Sequence, residues 1–230
     1  MTIRTPDALY TRPLRSLSAD DVETFGSKNT ALGEMIRHMG TAGLWAPQGF
    51  AVSTQAFDRF VQGNGLRAQI AELLGALTPD GSTIAKTGAT IRNAILATDV
   101  PADVKQEIVA HYKILLEDVA DWPLPVAVLA RIVPERLTAG AFGGREPASH
   151  AVQSTDALID AVRRSYAALY SDRAIAYRLE HRVAHDAFKV SIAVQTMVWT
   201  NAGGRAYDAE EADDEILAIS SFMSPLRRVG

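Results

Sequence analysis

The chain has 230 residues, 47% of them hydrophobic and 22% charged, with a formal net charge of −4. That length and apolar content suit one substantial core or two small lobes, and the slight acidic excess carries no nucleic-acid or membrane-surface footprint. Without a single cysteine there is no disulfide framework, thiolate metal site or cysteine nucleophile.

The opening "MTIRTPDALYTRPLRSL" lacks a long apolar run, which argues against a secretion signal or membrane anchor. Asp7 and Pro13 argue against an organelle address, so a cytoplasmic location is expected by elimination. Residues 1 to 20 read as an irregular lead-in. A helix follows from Asn29 to Met39, with Leu32, Met35, Ile36 and Met39 on one face, and glycines at 40 and 43 end it. "LWAPQGFAVST" reads as a Pro-Gly turn feeding a strand from Phe50 to Ser53, with Ser53 or Thr54 capping the next helix. Helical patterns then run over 66–77, 83–97 and 102–118. The last has Pro101 at its start and Val104, Ile108, Tyr112, Leu115 and Val119 in register.

The character changes after "DWPLP". "VAVLARIV", 126 to 133, is a nearly continuous apolar run, as expected of a strand covered on both faces. The glycine-bearing loop "TAGAFGGREP" comes next. A long helix is predicted over 155–182, with Leu158, Val162, Tyr166 and Leu169 on one face, and then a strand over 190–198 with Val190, Ile192 and Val194 pointing one way. The tail turns acidic: six of the eight residues in "DAEEADDE" are Asp or Glu.

Lys28, in "FGSKNTALGEM", is the first candidate for chemistry. A P-loop needs G-x-x-x-x-G-K-[ST], and here Lys28 stands between Ser27 and Asn29, which excludes it. What remains is a cation at a helix N-terminus, where backbone N–H groups and the dipole favour anions. Lysine there is unfavourable for the helix alone. It is a phosphate ligand, a solvated helix-entry residue, or the relic of a lost site. Gly143 and Gly144 beside Arg145 form either a surface turn or a loop whose backbone approaches a phosphate. Arg92, taken alone, is a basic residue on a solvated helix face. His181 and His185 have i, i+4 spacing, but no zincin glutamate or third ligand accompanies them. The acidic run from Asp208 to Glu215 is a solvated segment unless it donates carboxylates to a cation.

In order, "GSKNTALGEMI", "APQGFAVSTQAFDRFV", "TIRNAI", "VPADVKQEIVAHYKIL", "AFGG", "DALIDAVRRSYAALYSDRAIAYR" and "VQTMV" resemble the N-terminal nucleotide-binding domain of phosphoenolpyruvate synthase and pyruvate phosphate dikinase. The resemblance covers roughly residues 22 to 200. It implies an α+β fold: the N-terminal lobe of an ATP-grasp-like domain, helix-rich with a small mixed sheet. The helical part would be 21–120 and the sheet-containing part 121–200, before an acidic tail over 201–230. It also implies ATP and Mg²⁺ as cofactors and phosphoryl transfer to a histidine on a separate domain, in the manner of pyruvate, water dikinase. By the same resemblance Lys28 and Arg92 contact ATP phosphates, the loop at Phe142 to Gly144 covers them, with Arg145 beside it as a counter-charge, and the strand end from Gln195 through Met197 to Val198 borders the adenine.

The departures are specific. After "VAV" the family usually reads Arg-Ser-Ser-Ala, whereas this chain has Leu129, Ala130, Arg131 and Ile132. A leucine read as buried cannot supply a charge-assisted phosphate contact. Because strand side chains alternate, Arg131 points to the same face as Leu129 and substitutes in part. The family's Ser-Phe-Ala-Gly-Gln loop is Ala-Phe-Gly-Gly-Arg here. No counterpart of the magnesium-binding half, the phosphohistidine domain or the pyruvate-binding barrel is found in these residues. Two functions are therefore expected. One is an ATP-binding module of a phosphotransferase system, not catalytic alone, acting as a homodimer or with a partner subunit carrying the remaining domains. The other is a pseudoenzyme serving as a binding or regulatory subunit with weak or no ATP affinity.

Overall fold

The computed structural model describes residues 10–43, 46–63, 65–78, 81–118, 125–133, 148–197, 203–206 and 219–222. Residues 1–197 form one compact unit and residues 198–230 another.

The first unit is built on a five-stranded sheet. Its strands are β1 (Thr11–Pro13), β2 (Gly49–Val52), β3 (Val126–Val133), β4 (Ala148–Val152) and β5 (Lys189–Thr196), in the order β1-β2-β5-β3-β4. Every described pairing is antiparallel, where a mixed sheet was expected; the α+β class stands. Strands β2, β3 and β5 lie close to their expected positions. β5 ends at Thr196, where an end at 198 was expected, and the Thr196 and Met197 N–H groups donate to the carbonyls of Gln48 and Pro125, which immediately precede β2 and β3 (both 2.9 Å).

The helices are α1 (Val22–Phe25), α2 (Ser27–Thr41), α3 (Thr54–Gly63), α4 (Leu66–Gly75), α5 (Ile84–Ala97), α6 (Ala102–Asp118), α7 (Thr155–Ala168) and α8 (Asp172–Glu180). Ser53 caps α3, its Oγ accepting from the Ala56 N–H at 3.3 Å. The predicted single helix over 155–182 is in fact two. At its break, Leu169, Tyr170 and Ser171 turn with i→i−3 hydrogen bonds, and the Ser171 hydroxyl then accepts from Ala174 N–H to start α8. Apolar periodicity runs through this corner because Leu169 and Tyr170 remain buried in it.

Strand alternation divides the core between the two faces of the sheet. Phe50, Val52, Val128, Ile132, Ile192 and Val194 enter the larger cluster, with residues from α3 to α8. Ala51 faces the other way, into a smaller cluster with Leu14, Leu17, Phe25, Ile36 and Ala46. The lead-in is not irregular where it is described. It supplies β1 and a 3-10 turn, Leu14–Ser16, and both Leu14 and Leu17 are fully buried. Gly33 makes this possible: a Cβ there would overlap the Leu14 carbonyl oxygen and approach that of Leu17 to 3.0 Å. On α2, Ile36 is buried and Leu32 and Met39 are partly buried, but Met35, expected on the same face, is 45% exposed.

β3 also departs from expectation. Val126, Val128, Ala130 and Ile132 are buried, while Ala127, Leu129, Arg131 and Val133 on the opposite face are only half-buried. The strand is thus covered fully on one face, and its apolar appearance comes from alanine, leucine and valine on the open one. In the second unit, β6 (Gly203–Ala206) pairs antiparallel with β7 (Ile219–Phe222). The acidic run 208–215 lies outside the described residues. No described helix is long and apolar enough to cross a membrane.

Candidate functional site on the open sheet face

The first turn of α2 is set by Gly26, whose φ of 85° and ψ of 153° suit glycine and allow α1 to pass directly into α2. Two residues of that turn divide the work. Lys28 is exposed, and Asn29 is completely buried. The Asn29 Nδ2 donates to the Phe25 carbonyl (2.9 Å) and to Ser191 Oγ (3.3 Å), while the Ser191 hydroxyl donates to the same carbonyl (2.6 Å). This network ties the start of α2 to the middle of β5. It fixes the first turn of α2, which carries Lys28, against the sheet face opposite the larger core.

Arg131 belongs to the same face. It is the cross-strand partner of Ser191, and Leu129 is the partner of Ala193, so both β3 side chains stand beside the Asn29–Ser191 anchor. Further along the sheet, Gln195 is half-buried and pairs with Ala127 and Gly49. Met197 follows, its sulfur accepting from the Ala151 N–H at 3.1 Å. Ala151 has a φ of 57°, an uncommon conformation for alanine, next to the register shift between Val126 and Val128. Leu129, Arg131 and Gln195 therefore share one side of the sheet, the side against which α2 begins. Leu129 is half-buried there, not buried as the sequence suggested, so a side chain at this position can meet a ligand.

Arg92 lies elsewhere. Its helix, α5, sends Ile91 and Ile95 into the larger cluster on the other face of the sheet. Its Nη1 donates to the Tyr170 carbonyl (2.8 Å) and to Asp172 Oδ1 (2.7 Å), pinning α5 to the α7–α8 corner. Gly143, Gly144, Arg145 and Val198 lie outside the described residues.

The two candidate histidines are engaged separately. His181 stacks on Tyr177 with ring centroids 4.0 Å apart, and His185 Nδ1 accepts from Arg178 Nε at 2.9 Å. Among the described residues no group of three or more His, Asp or Glu could hold a metal ion. Sequence reasoning missed Asn29 and Ser191. The Asn beside the lysine was visible, but its partner lies 162 residues away in the chain.

Comparison with known proteins places these residues in a family. The sequence pattern of the pyruvate phosphate dikinase AMP/ATP-binding domain matches residues 22–222, further than the roughly 22 to 200 expected from the resemblance. The chain is 32% identical to phosphoenolpyruvate synthase of Neisseria meningitidis serogroup B over 211 residues, covering 90% of this chain and 27% of that protein. It is 35% identical over 195 residues to the Pseudomonas aeruginosa phosphoenolpyruvate synthase, covering 84% of this chain and 24% of the relative. With the Escherichia coli protein of the same name the identity is 33%, over 89% and 26%. The chain thus spans about a quarter of the length of these curated relatives. It belongs to the pyruvate phosphate dikinase AMP/ATP-binding domain family.

Proposed function

We propose that this chain is an ATP-binding module of a phosphotransferase system, and that it takes the nucleotide on the open sheet face beside the first turn of α2. The observation that supports this reading is the grouping of Arg131, Leu129 and Gln195 on one side of the sheet, with the first turn of α2, which carries Lys28, tied to that side through Asn29 and Ser191, within the stretch that matches an AMP/ATP-binding family. Two cations and a helix N-terminus suit a polyphosphate. The half-buried surface around Leu129 and Gln195, extended by Met197, suits a base. By the resemblance, Gly143, Gly144 and Arg145, outside the described residues, would also contribute in an ATP-grasp-like manner. Arg92 would reach the phosphates only by leaving Asp172.

In this reading Asn29 and Ser191 are positioning residues. Their hydrogen bonds hold the helix start against the sheet, so that Lys28 enters the site already oriented. Phosphoryl transfer would also require a divalent cation to bridge the phosphates. The described residues do not present a carboxylate set for one. Transfer to a histidine, and the supply of pyruvate, would fall to other domains. The alternative, a regulatory subunit with weak or no ATP affinity, draws on Leu129, which stands where the resemblance implies an arginine.

Calorimetric titration with ATP and Mg²⁺, using AMP and GTP as controls, separates the two. ATP should bind, and Lys28→Ala should weaken it by on the order of 1.5–3 kcal/mol, one to two decades in affinity. Its thermal midpoint should stay nearly unchanged, since Lys28 is exposed. No binding at millimolar nucleotide would give the field to the regulatory alternative.

A further inference from the structure

A cleft of about 370 Å³ opens among α3, α4, the α7–α8 corner and the start of β5. Its volume is within the usual range of small-molecule sites, about 300–1,000 Å³. Phe57, Val61, Ile70, Leu74, Tyr170 and Phe188 form its apolar walls, and all six also belong to the larger core. None of the nucleotide-site residues lines it.

The polar groups at this cleft are mostly donors. Arg67 and Lys189 share a single carboxylate: Asp58 Oδ1 accepts from Arg67 Nη2 at 2.9 Å, and Asp58 Oδ2 pairs with Lys189 Nζ. Asp186 is a second, exposed acid on the rim. His185 also lines the cleft, and its Nδ1 is occupied as an acceptor by the Arg178 Nε–H. A neutral ring with an accepting Nδ1 carries its proton on Nε2, so the nitrogen His185 has left is a donor. Burial and the nearby Arg178 charge push the His185 pKa down to about 4, which keeps the ring neutral at physiological pH.

Behind these walls lies Arg178, 1% exposed, with its guanidinium over the rings of Tyr170 and Phe188, each 5.6 Å from the centroid. Its Nη2 donates to the Leu169 carbonyl at 2.9 Å, but Nη1 has no hydrogen-bond partner among the described residues. Among the described residues no carboxylate is paired with this cation, although a buried charge is ordinarily paired.

We propose that this cleft is a second binding site, for a small amphipathic carboxylate whose apolar body lies against Phe57, Tyr170 and Phe188 and whose acid group is held by Arg67, Lys189 and the His185 Nε2–H. The aromatic walls give affinity without regard to charge. Selection of an anion comes from two cations that share one Asp58 carboxylate, from the neutral histidine donor, and from the field of Arg178. The site is independent of the ATP reading, because it uses none of the same residues.

The test uses the full chain and three probes of one shape: phenylpropanoate, phenylpropanol and phenylpropylamine. Binding is followed by amide chemical shifts in NMR titration. The acid should bind at least about tenfold more tightly than the alcohol, with shifts confined to α3, α4 and residues 170–189, and the amine should be the weakest. Arg67→Gln should remove most of the preference for acid over alcohol. Ala71→Trp, at an exposed position on the cleft wall, should block all three probes while leaving the rest of the spectrum unchanged. Equal binding of acid and alcohol would overturn the anion assignment. Shifts that persist in Ala71→Trp, or the absence of binding by any probe, would overturn the site itself.

Discussion

At the scale of single residues, the contact between Arg178 and His185 has a consequence that can be measured. Arg178 is almost wholly buried and remains charged, although burial lowers its pKa to about 10. Protonating His185 would place a second positive charge 2.9 Å from it and remove the acceptor that Arg178 Nε uses. Burial and the Arg178 charge accordingly hold the ring near pKa 4, against 6.5 for free histidine. The unfolded chain therefore binds the proton more readily than the folded one between these values. The stabilisation by neutral His185 is complete above pH 6.5 and is lost as the pH falls towards 4. His111, also depressed by burial, acts with the same sign, so a variant is needed to separate the two. His185→Gln keeps an acceptor for Arg178 and cannot protonate. Urea unfolding at pH 7 and pH 4.5 should show the wild type losing on the order of 1–2 kcal/mol more than this variant, a figure discounted because the ring is half-solvated. Equal losses would mean that His185 titrates normally and that the pair does not form.

At the scale of elements, the long-range contacts decide what the sequence reveals. The helices α2 to α7 and the strands β2, β3 and β5 were legible because each repeats its apolar residues with its own period over many positions. β1 was not, since three residues carry no period and its place is set by pairing with β2, forty residues on. Leu129 and Arg131 were correctly assigned to one face of β3, but the openness of that face depends on which elements cover it. The cleft was invisible for a similar reason, being formed by residues near 60–75 and near 170–189. Gly33 shows how such a contact can be tested. In an isolated helix, replacing glycine with alanine stabilises by about 0.5–1 kcal/mol. In α2 the added methyl would strike the backbone of the 3-10 turn and dislodge Leu14 and Leu17 from the smaller core cluster. Gly33→Ala should therefore destabilise by about 2 kcal/mol or more. Gly40, near the end of the same helix, has open space around it, and Gly40→Ala should be neutral or mildly stabilising. Urea denaturation of the pair gives the comparison directly. If both variants behave like Gly40→Ala, the lead-in does not pack on α2.

At the scale of the whole molecule, the question is how much of the chain the fold needs. Both core clusters, the five-stranded sheet and all eight described helices lie within residues 10–197. The described part of the second unit is a hairpin of two four-residue strands. Isolated two-stranded hairpins are marginally stable at best in water, so cooperative stability should reside in the first unit. A chain ending at Met197 should consequently unfold in a single transition, with a thermal midpoint within a few degrees of the full chain. Its urea dependence should fall only modestly, in proportion to the surface no longer buried. Charge sets the condition for the measurement. Six acidic residues and three arginines leave with residues 198–230, taking the net charge from −4 to −1. Proteins near zero charge associate more readily, so the comparison belongs at low protein concentration with sedimentation to confirm the monomer fraction. A shortened chain that is monomeric but lacks a cooperative transition would show that the core of residues 10–197 does not stand alone, and that residues 198–230 are integral to the fold.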